Sequence, residues 1–399
     1  MVKNMRVIKS FSVYIILSVI LFSVNIIQCQ LREGSVCSHK RSQSPGTCMK
    51  LDDCAEAVDE LFNKDINPQT CSILENNTEI VCCRNTVEAP PNVESGTRLG
   101  DNINRQMCRE YAKSIYTTDI PFNVPGAIPT NHSECGFPYR PLIYGGELAK
   151  GKEFPHMALI GYDTQVEEGT FARAWECGGT LISDQWVVTA AHCVTTFKSG
   201  VAKYVRLGEL DFKDDLDDAK PQDFDVIERL VHPKYQDNHY NDIGLLKLHT
   251  TVKFSAYIRP ACLWPENVVS QDRAIVTGWG TQHFFYPQKR SSHLQLAILS
   301  IMPESDCKAQ WKPKHRLEDG FKNDIQICAG ARKDEENKDA CDGDSGGPIQ
   351  IYATDIHKCM YYVLGVVSFG KPCGAGKGPG VYTRVAPYME WIEDNVWRK

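Results

Sequence analysis

The sequence has no surplus of positive charge, only one long apolar run and no C-x-x-C pair, and each absence narrows the chemistry. Lys and Arg number 44 against 50 Asp and Glu, a net charge of −6. That leaves no basic field to hold a nucleic acid. Beyond residues 11–27 no segment is apolar enough to span a bilayer. Without paired C-x-x-C ligands, the 17 cysteines do not read as those of a cytosolic zinc protein. No internal repeat is visible.

What is present begins with an export signal. Lys3, Arg6 and Lys9 precede the apolar run from Phe11 to Ile27, and polar, Cys-rich sequence follows at once. That order is the pattern of a signal peptide over residues 1–29; an uncleaved membrane anchor is the alternative. Removal near Cys29 leaves sixteen cysteines, an even set. Secreted chains use such sets as disulfides. The chain is therefore expected to be extracellular, without stable membrane insertion.

A chain of 399 residues has room for two or three domains. Residues 30–83 hold six cysteines, Cys37, Cys48, Cys54, Cys71, Cys82 and Cys83, with few large apolar residues between them. Such a segment buries little core and must be stapled. Adjacent Cys82 and Cys83 do not easily bond each other, so each reaches back to an earlier partner, and fifteen pairings stay open. Residues 84–142 read as a linker: "VEAPPNVESG" and "DIPFNVPGAIP" are rich in turn formers, while "NRQMCREYAKSIY" between them suits a short helix around Cys108. Asn76 and Asn131 head N-x-S/T sequons and are glycan acceptors if exposed.

From Ile143 the pattern changes. Short β-branched and aromatic runs such as "MALIGY", "AIVTGWG" and "YYVLGVVSFG" alternate with polar, Gly- or Pro-bearing loops. This predicts antiparallel β-barrels or sandwiches. Val385, Met389, Ile392 and Val396 recur at helical spacing and predict a closing amphipathic helix.

Three local sequences carry chemistry together. "TAAHC" places His192, "NDIGLL" places Asp242 before a buried run, and "GDSGGP" places Ser345 among glycines. A serine hydroxyl needs a base to take its proton. A histidine titrates near neutral pH and can serve. A buried carboxylate fixes the histidine tautomer and stabilises the imidazolium. Main-chain N–H groups of Gly343 and Ser345 would face the oxyanion of an acyl transfer, because glycine tolerates the turn.

With these residues, the segment from Ile143 onward resembles the trypsin-like serine proteases of the chymotrypsin family. The resemblance implies two six-stranded antiparallel β-barrels with His192, Asp242 and Ser345 in the cleft between them. It also implies disulfides Cys177–Cys193, Cys307–Cys328 and Cys341–Cys373. The front module resembles a clip domain, which implies the pairs Cys37–Cys82, Cys48–Cys71 and Cys54–Cys83. The linker cysteine and Leu142 make the chain similar to the snake-like branch of clip proteases. Asp339 would floor a slot for Arg or Lys, with Ser368, Gly370 and Gly380 around it. Cutting after Leu142 would free an ammonium on Ile143 to pair with Asp344. A slot floored by a carboxylate has no partner for leucine, so a different protease, with an apolar pocket, would do the cutting; a cut after Arg140 is the alternative. Cys135–Cys262 would join the two parts, leaving Cys108–Cys359 among three open connectivities. Glu209 matches a calcium-loop ligand in an acidic run, although a solvated loop explains it equally; no cofactor is required. The implied partners are an activating protease, a downstream protease zymogen and a serpin inhibitor, in Toll signalling, innate immunity or melanisation. A digestive trypsin and a non-catalytic clip cofactor are the rival readings.

Overall fold

The computed structural model describes residues 35–38, 45–51, 54, 57, 68–73, 79–84, 103–119, 130–133, 147–167, 170–196, 199–280, 290–331, 344–357, 359–370 and 378–398. Its contacts divide the chain into two compact units, Met1–Ala57 with Pro68–Pro90 and Val58–Asn67 with Pro91–Lys399. No helix among the described residues is long and apolar enough to cross a membrane.

The first unit is a four-stranded antiparallel sheet of β1 (Val36–Ser38), β2 (Pro45–Lys50), β3 (Thr70–Ile73) and β4 (Glu79–Arg84), in the order β1-β2-β4-β3. Successive side chains on a strand point to opposite faces, so neighbours Cys82 and Cys83 serve different partners. Cys37–Cys82, Cys48–Cys71 and Cys54–Cys83 form, the three pairs that the clip resemblance implies. The core beneath them is small: Cys37, Cys48, Ile80 and Cys82, with Cys71 packed against it. Gly46 lets β2 pass close by, since a Cβ there would lie 2.5 Å from the Cys83 carbonyl oxygen.

The second unit opens with α1 (Ile103–Ala112), a 3-10 turn Lys113–Ile115 and the hairpin β5 (Tyr116–Asp119) and β6 (Thr130–Ser133). Then come β7 (Glu147–Leu148), β8 (Met157–Glu167), β9 (Thr170–Leu181), β10 (Trp186–Thr189), α2 (Ala191–Val194), β11 (Thr195–Thr196), β12 (Gly200–Val201), β13 (Tyr204–Leu207), β14 (Gln222–Val231) and β15 (Gly244–Leu248). Six of these close a barrel in the order β10-β15-β14-β13-β8-β9. β16 (Cys262–Leu263), β17 (Arg273–Gly278), β18 (Gln295–Ile301), α3 (Glu304–Gln310), β19 (Gln326–Gly330), β20 (Pro348–Tyr352), β21 (Tyr361–Phe369), β22 (Gly380–Arg384) and α4 (Met389–Val396) complete the chain. Here β17-β18-β19-β22-β21-β20 close a second ring, because β21 pairs with both β20 and β22. The expected two six-stranded barrels and closing helix are therefore present. β20 and β22 are buried at every position.

The expected helix around Cys108 forms, but it is not part of a loose connector. Asn104, 3% exposed, turns its side-chain amide onto the edge strand β16, donating to Leu263 O at 2.9 Å and accepting from Leu263 N at 3.4 Å. Cys108, Tyr111, Ala112 and Ile115 lie in one core cluster with Met360, Tyr362 and Leu364 of the second barrel. The Tyr111 hydroxyl accepts a 3.0 Å hydrogen bond from Trp397 Nε1, just past α4, and burial pushes its pKa up to about 12.

This docking corrects two expected disulfides. Cys108 bonds Cys262, so neither Cys135–Cys262 nor Cys108–Cys359 forms. The reason is tertiary: packing α1 on β16 brings the two Cα atoms to 5.3 Å, which sequence spacing does not reveal. Cys359 is also disulfide-bonded; Cys135 lies outside the described residues, as do Cys341 and Cys373. Cys177–Cys193 and Cys307–Cys328 form as implied.

Ile115 is fully buried, so Ile115→Ala should destabilise the second unit by about 2–5 kcal/mol. Denaturant unfolding followed by tryptophan fluorescence reads this; an unchanged midpoint would show that the segment is only a tether.

Candidate active site

The site assembles where the two barrels meet, on residues supplied by three short turns and strand β21. After β10 the chain bends into α2, a single turn that presents His192. Cys193, bonded to Cys177 of β9, and the Tyr162 hydroxyl, which donates to Cys193 O at 2.5 Å, hold that turn down. Asp242 precedes β15. Asn241 before it adopts a left-handed conformation, φ 54°, which asparagine tolerates better than most residues.

Asp242 is 2% exposed and its carboxylate takes three donors. His192 Nδ1 reaches Oδ2 at 2.8 Å, the His192 main-chain N–H reaches Oδ1 at 3.0 Å, and Ser368 Oγ donates to Oδ2 at 2.5 Å. Thr383 Oγ1 donates to the Asp242 carbonyl at 2.9 Å. Burial alone would raise the carboxyl's pKa; the charge and hydrogen bonds of His192, with that of Ser368, outweigh it and hold the pKa low. For His192, burial opposes the imidazolium, but the Asp242 charge and hydrogen bond win and raise its pKa. With Asp242 accepting at Nδ1, that nitrogen carries the proton and Nε2 is left to accept one.

Ser345 begins a tight turn strung between the barrels. Its carbonyl accepts from Gly178 N of β9 at 2.8 Å, and Gly346 N donates to Val367 O of β21 at 2.9 Å. Thr189 Oγ1 donates to Gly178 O at 2.8 Å. Gly346 has φ 82°, and a Cβ there would run into Thr189 Oγ1 and Gly178 O, so glycine is required twice over. The Cys193 sulfur lies 3.5 Å from Ser345 O, which sets the serine against the residue next to His192. Among the described residues no hydrogen bond joins Ser345 Oγ to His192; catalytic hydrogen bonds of free enzymes often tighten only with substrate.

The trypsin family profile matches residues 143–392. The chain belongs to the trypsin family. The Drosophila melanogaster protein "Serine protease snk" is 34% identical over 373 residues, covering 92% of this chain and 80% of that one. "Melanization protease 1" of the same species is 36% identical over 284 residues, 66% of this chain and 67% of its own. "CLIP domain-containing serine protease B4" of Anopheles gambiae is 30% identical over 377 residues, 88% of this chain and 89% of its own.

The remaining expected residues of this trypsin-family site fall into place unevenly. Ser368 spends its hydroxyl on Asp242, so it steadies the dyad. Gly370 is exposed and Gly380 is buried at the start of β22. Asp339, Leu142, Ile143 and Gly343 lie outside the described residues, as does Asn76; Asn131 is on β6. Asp344 is 9% exposed and accepts from Gly280 N at 2.8 Å. Its carboxylate fills hollows left by two glycines: a Cβ on Gly278 would overlap it, and one on Gly280 would lie 2.5 Å from Oδ2. Sequence reasoning missed these two. "AIVTGWG" reads only as a strand end, and nothing local links its glycines to an aspartate 64 residues on.

Glu209 does not suit a calcium ion. Arg206 Nη1 donates to it at 3.1 Å and Leu210 N at 2.9 Å. Arg206 also forks onto Asp223, with Nε at 2.6 Å and Nη2 at 3.1 Å. The guanidinium already supplies the cation that the loop would ask of a metal. Two groups of three possible ligands lie close together among the described residues, Cys37, Cys48, Cys71 and Cys177, His192, Cys193. Each is built on cysteines in disulfides, which are not thiolate ligands.

Three outcomes follow from this geometry. Because the His192 pKa is raised and a base must be neutral, kcat/KM should climb with pH through a midpoint above about 6.5. Asp242→Asn should lower kcat by about 10⁴-fold, since the wrong nitrogen would then be protonated. A chelator should leave the thermal midpoint unchanged, whereas Arg206→Met should lower it.

Proposed function

We propose that this protein is a secreted serine endopeptidase made as a zymogen, switched on by cleavage after Leu142, that cuts after Arg or Lys in the zymogen of another protease. The observation that carries the hydrolase reading is the dyad His192–Asp242, with one imidazole nitrogen reserved for Asp242, set beside a serine on a tight, glycine-bearing turn between barrels.

The steps follow from those atoms. His192 Nε2 takes the Ser345 proton as Oγ attacks the scissile carbonyl. The resulting oxyanion would lie against the N–H groups of Gly343 and Ser345; a lost donor of this kind typically costs about 2.7–4 kcal/mol in the barrier. The imidazolium, steadied by Asp242, returns the proton to the leaving amine and an acyl-enzyme remains. Water, deprotonated by the same nitrogen, then releases the acid and restores Ser345.

Activation after Leu142 is supported by distances in the sheet. Leu148 of β7 pairs with Gln295 of β18, which pairs with Gly278 of β17. Gly278 is where the Asp344 carboxylate sits. Two strand spacings amount to about 10 Å. The five residue steps from Ile143 to Leu148 reach up to about 17 Å. A free Ile143 ammonium can therefore arrive at Asp344 with its chain still anchored. An ammonium reaching that buried carboxylate would add a charge-assisted hydrogen bond, and its arrival would favour order in the loop that also carries Ser345.

A carboxylate at Asp339 would favour a basic side chain through a charge-assisted hydrogen bond and leave leucine without a partner. The mature enzyme would then not cut its own Leu142, and activation would run one way, from a protease of apolar preference. Relatives named "Melanization protease 1" and, in Spodoptera litura, "Phenoloxidase-activating enzyme 1" support a place in an extracellular cascade of the melanisation or Toll type. The intact set of His192, Asp242 and Ser345 speaks against a non-catalytic cofactor.

To test this, the purified proenzyme is treated with a protease that cuts after leucine, its new N-terminus is sequenced, and Arg and Leu reporter peptides are assayed. An Ile143 terminus with Arg cleavage is expected, lost in Ser345→Ala. Leu cleavage without Arg cleavage would overturn the specificity, and activity from another terminus the activation site.

A further inference from the structure

Beyond Ser368, β21 continues into a shelf that the chemistry above does not use. Phe369 follows the serine directly. The His239 ring stacks on it with centroids 4.0 Å apart and planes at 24°, and Trp311 meets it edge-on at 5.1 Å. Trp311 is buried, and its Nε1 donates to Pro379 O at 3.0 Å. The shelf is therefore apolar and stiff.

Its rim is cationic. Lys314 Nζ stands 4.4 Å over the Trp311 ring. The Arg316 side chain, 42% exposed, donates to Asp237 at 2.9 Å. Arg316 sits in a left-handed turn, φ 65°, with Lys314 and Leu317 exchanging main-chain hydrogen bonds of 3.1 and 2.9 Å around it. Its carbonyl accepts from His239 N at 2.9 Å. The loop that carries Asp242 and the loop that carries Arg316 are thus joined through their backbones, and the guanidinium has a fixed origin.

Two electrostatic facts place this rim beside the reaction. Burial, then Arg316, push the His239 pKa down to about 4, so at neutral pH the shelf imidazole is uncharged and Arg316 is not opposed by a second fixed cation on the ring. Arg316 and Asp237 both act on the charge of His192. Asp237 is 88% exposed, and an ion pair that wet is weak. Arg316 can exchange it for another carboxylate at little cost.

We propose that Arg316, with Lys314 beside it, selects an acidic side chain in the substrate, within the stretch of chain that precedes the scissile bond. The side of the bond follows from Phe369. It adjoins Gly370, a wall of the specificity slot in the reading above, and so borders the residues that lead into the slot rather than those that leave Ser345. The apolar stem of a glutamate would lie on the Phe369 and His239 rings with its carboxylate at the guanidinium. This inference rests on the protease reading.

The test uses the full chain cleaved at residue 142 and matched peptides with Arg before the cut bond and Glu, Ala or Lys at the second, third or fourth position before it. At low salt Glu should exceed Lys in kcat/KM by about threefold to tenfold at one position, shrinking as salt rises. Arg316→Glu should invert the order, Arg316→Lys should keep it, and Asp237→Asn should widen it. Thermal midpoints show that each variant is folded, and the rate on the Ala peptide serves as each variant's own reference. No preference in the unaltered enzyme, or the same Glu-to-Lys ratio in Arg316→Glu, overturns the proposal. If no Arg peptide is cut, the basic slot is wrong instead. The same Glu, Ala and Lys comparison is then run on whichever residue the enzyme cuts after, so the rim is judged by itself.

Discussion

The carboxylate of Asp242 is the interaction on which the rest of the site depends. A charge that is 2% exposed would be expensive without compensation, and its compensation comes from several places at once. His192 supplies a ring nitrogen and a main-chain N–H from the first barrel; Ser368 supplies a hydroxyl from the second. The same residue's carbonyl is held by Thr383 on β22. Satisfying one anion therefore fixes the histidine's orientation and tautomer and pins both barrels to one point. The left-handed Asn241 and the Cys177–Cys193 bond are the local means by which the two halves of the dyad are delivered.

A second buried carboxylate, Asp344, stands next to Ser345 and follows the same logic with a different solution. Its space is made by omission, through Gly278 and Gly280, and a main-chain N–H of Gly280 meets it. Because Asp344 and Ser345 are consecutive, whatever satisfies the first also sets the turn of the second. On the proposed activation, the order of the nucleophile's turn becomes a function of whether a cation has reached that pocket.

The front segment takes part in this arrangement more closely than a connector would. α1 packs into one core cluster with the second barrel, its Asn104 completes the edge of β16, and Tyr111 meets Trp397 just past α4. A cut at residue 142 would leave the two pieces joined by Cys108–Cys262 and by this buried contact together. The covalent break would then free a chain end without freeing the segment in front of it.

Much was legible in the sequence because it was local. The motifs around His192, Asp242 and Ser345, the strand-and-turn rhythm after Ile143 and the alternation that separates Cys82 from Cys83 are each readable within a few residues. Family resemblance then implied the barrel count and five of the disulfides that form. The proposed mismatch between Asp339 and Leu142 is likewise read from side-chain chemistry alone. Tertiary structure decided what depends on distant residues meeting. It joined Cys108 to Cys262 rather than to Cys359, because α1 packs on β16. It gave Gly278 and Gly280 their purpose through a carboxylate far along the chain. It set Arg206 against Glu209 in the acidic loop, and stacked His239 on Phe369 beside the loop of Arg316. Local sequence states which groups are available; only closure of the barrels determines which of them share a low-dielectric space and must neutralise one another.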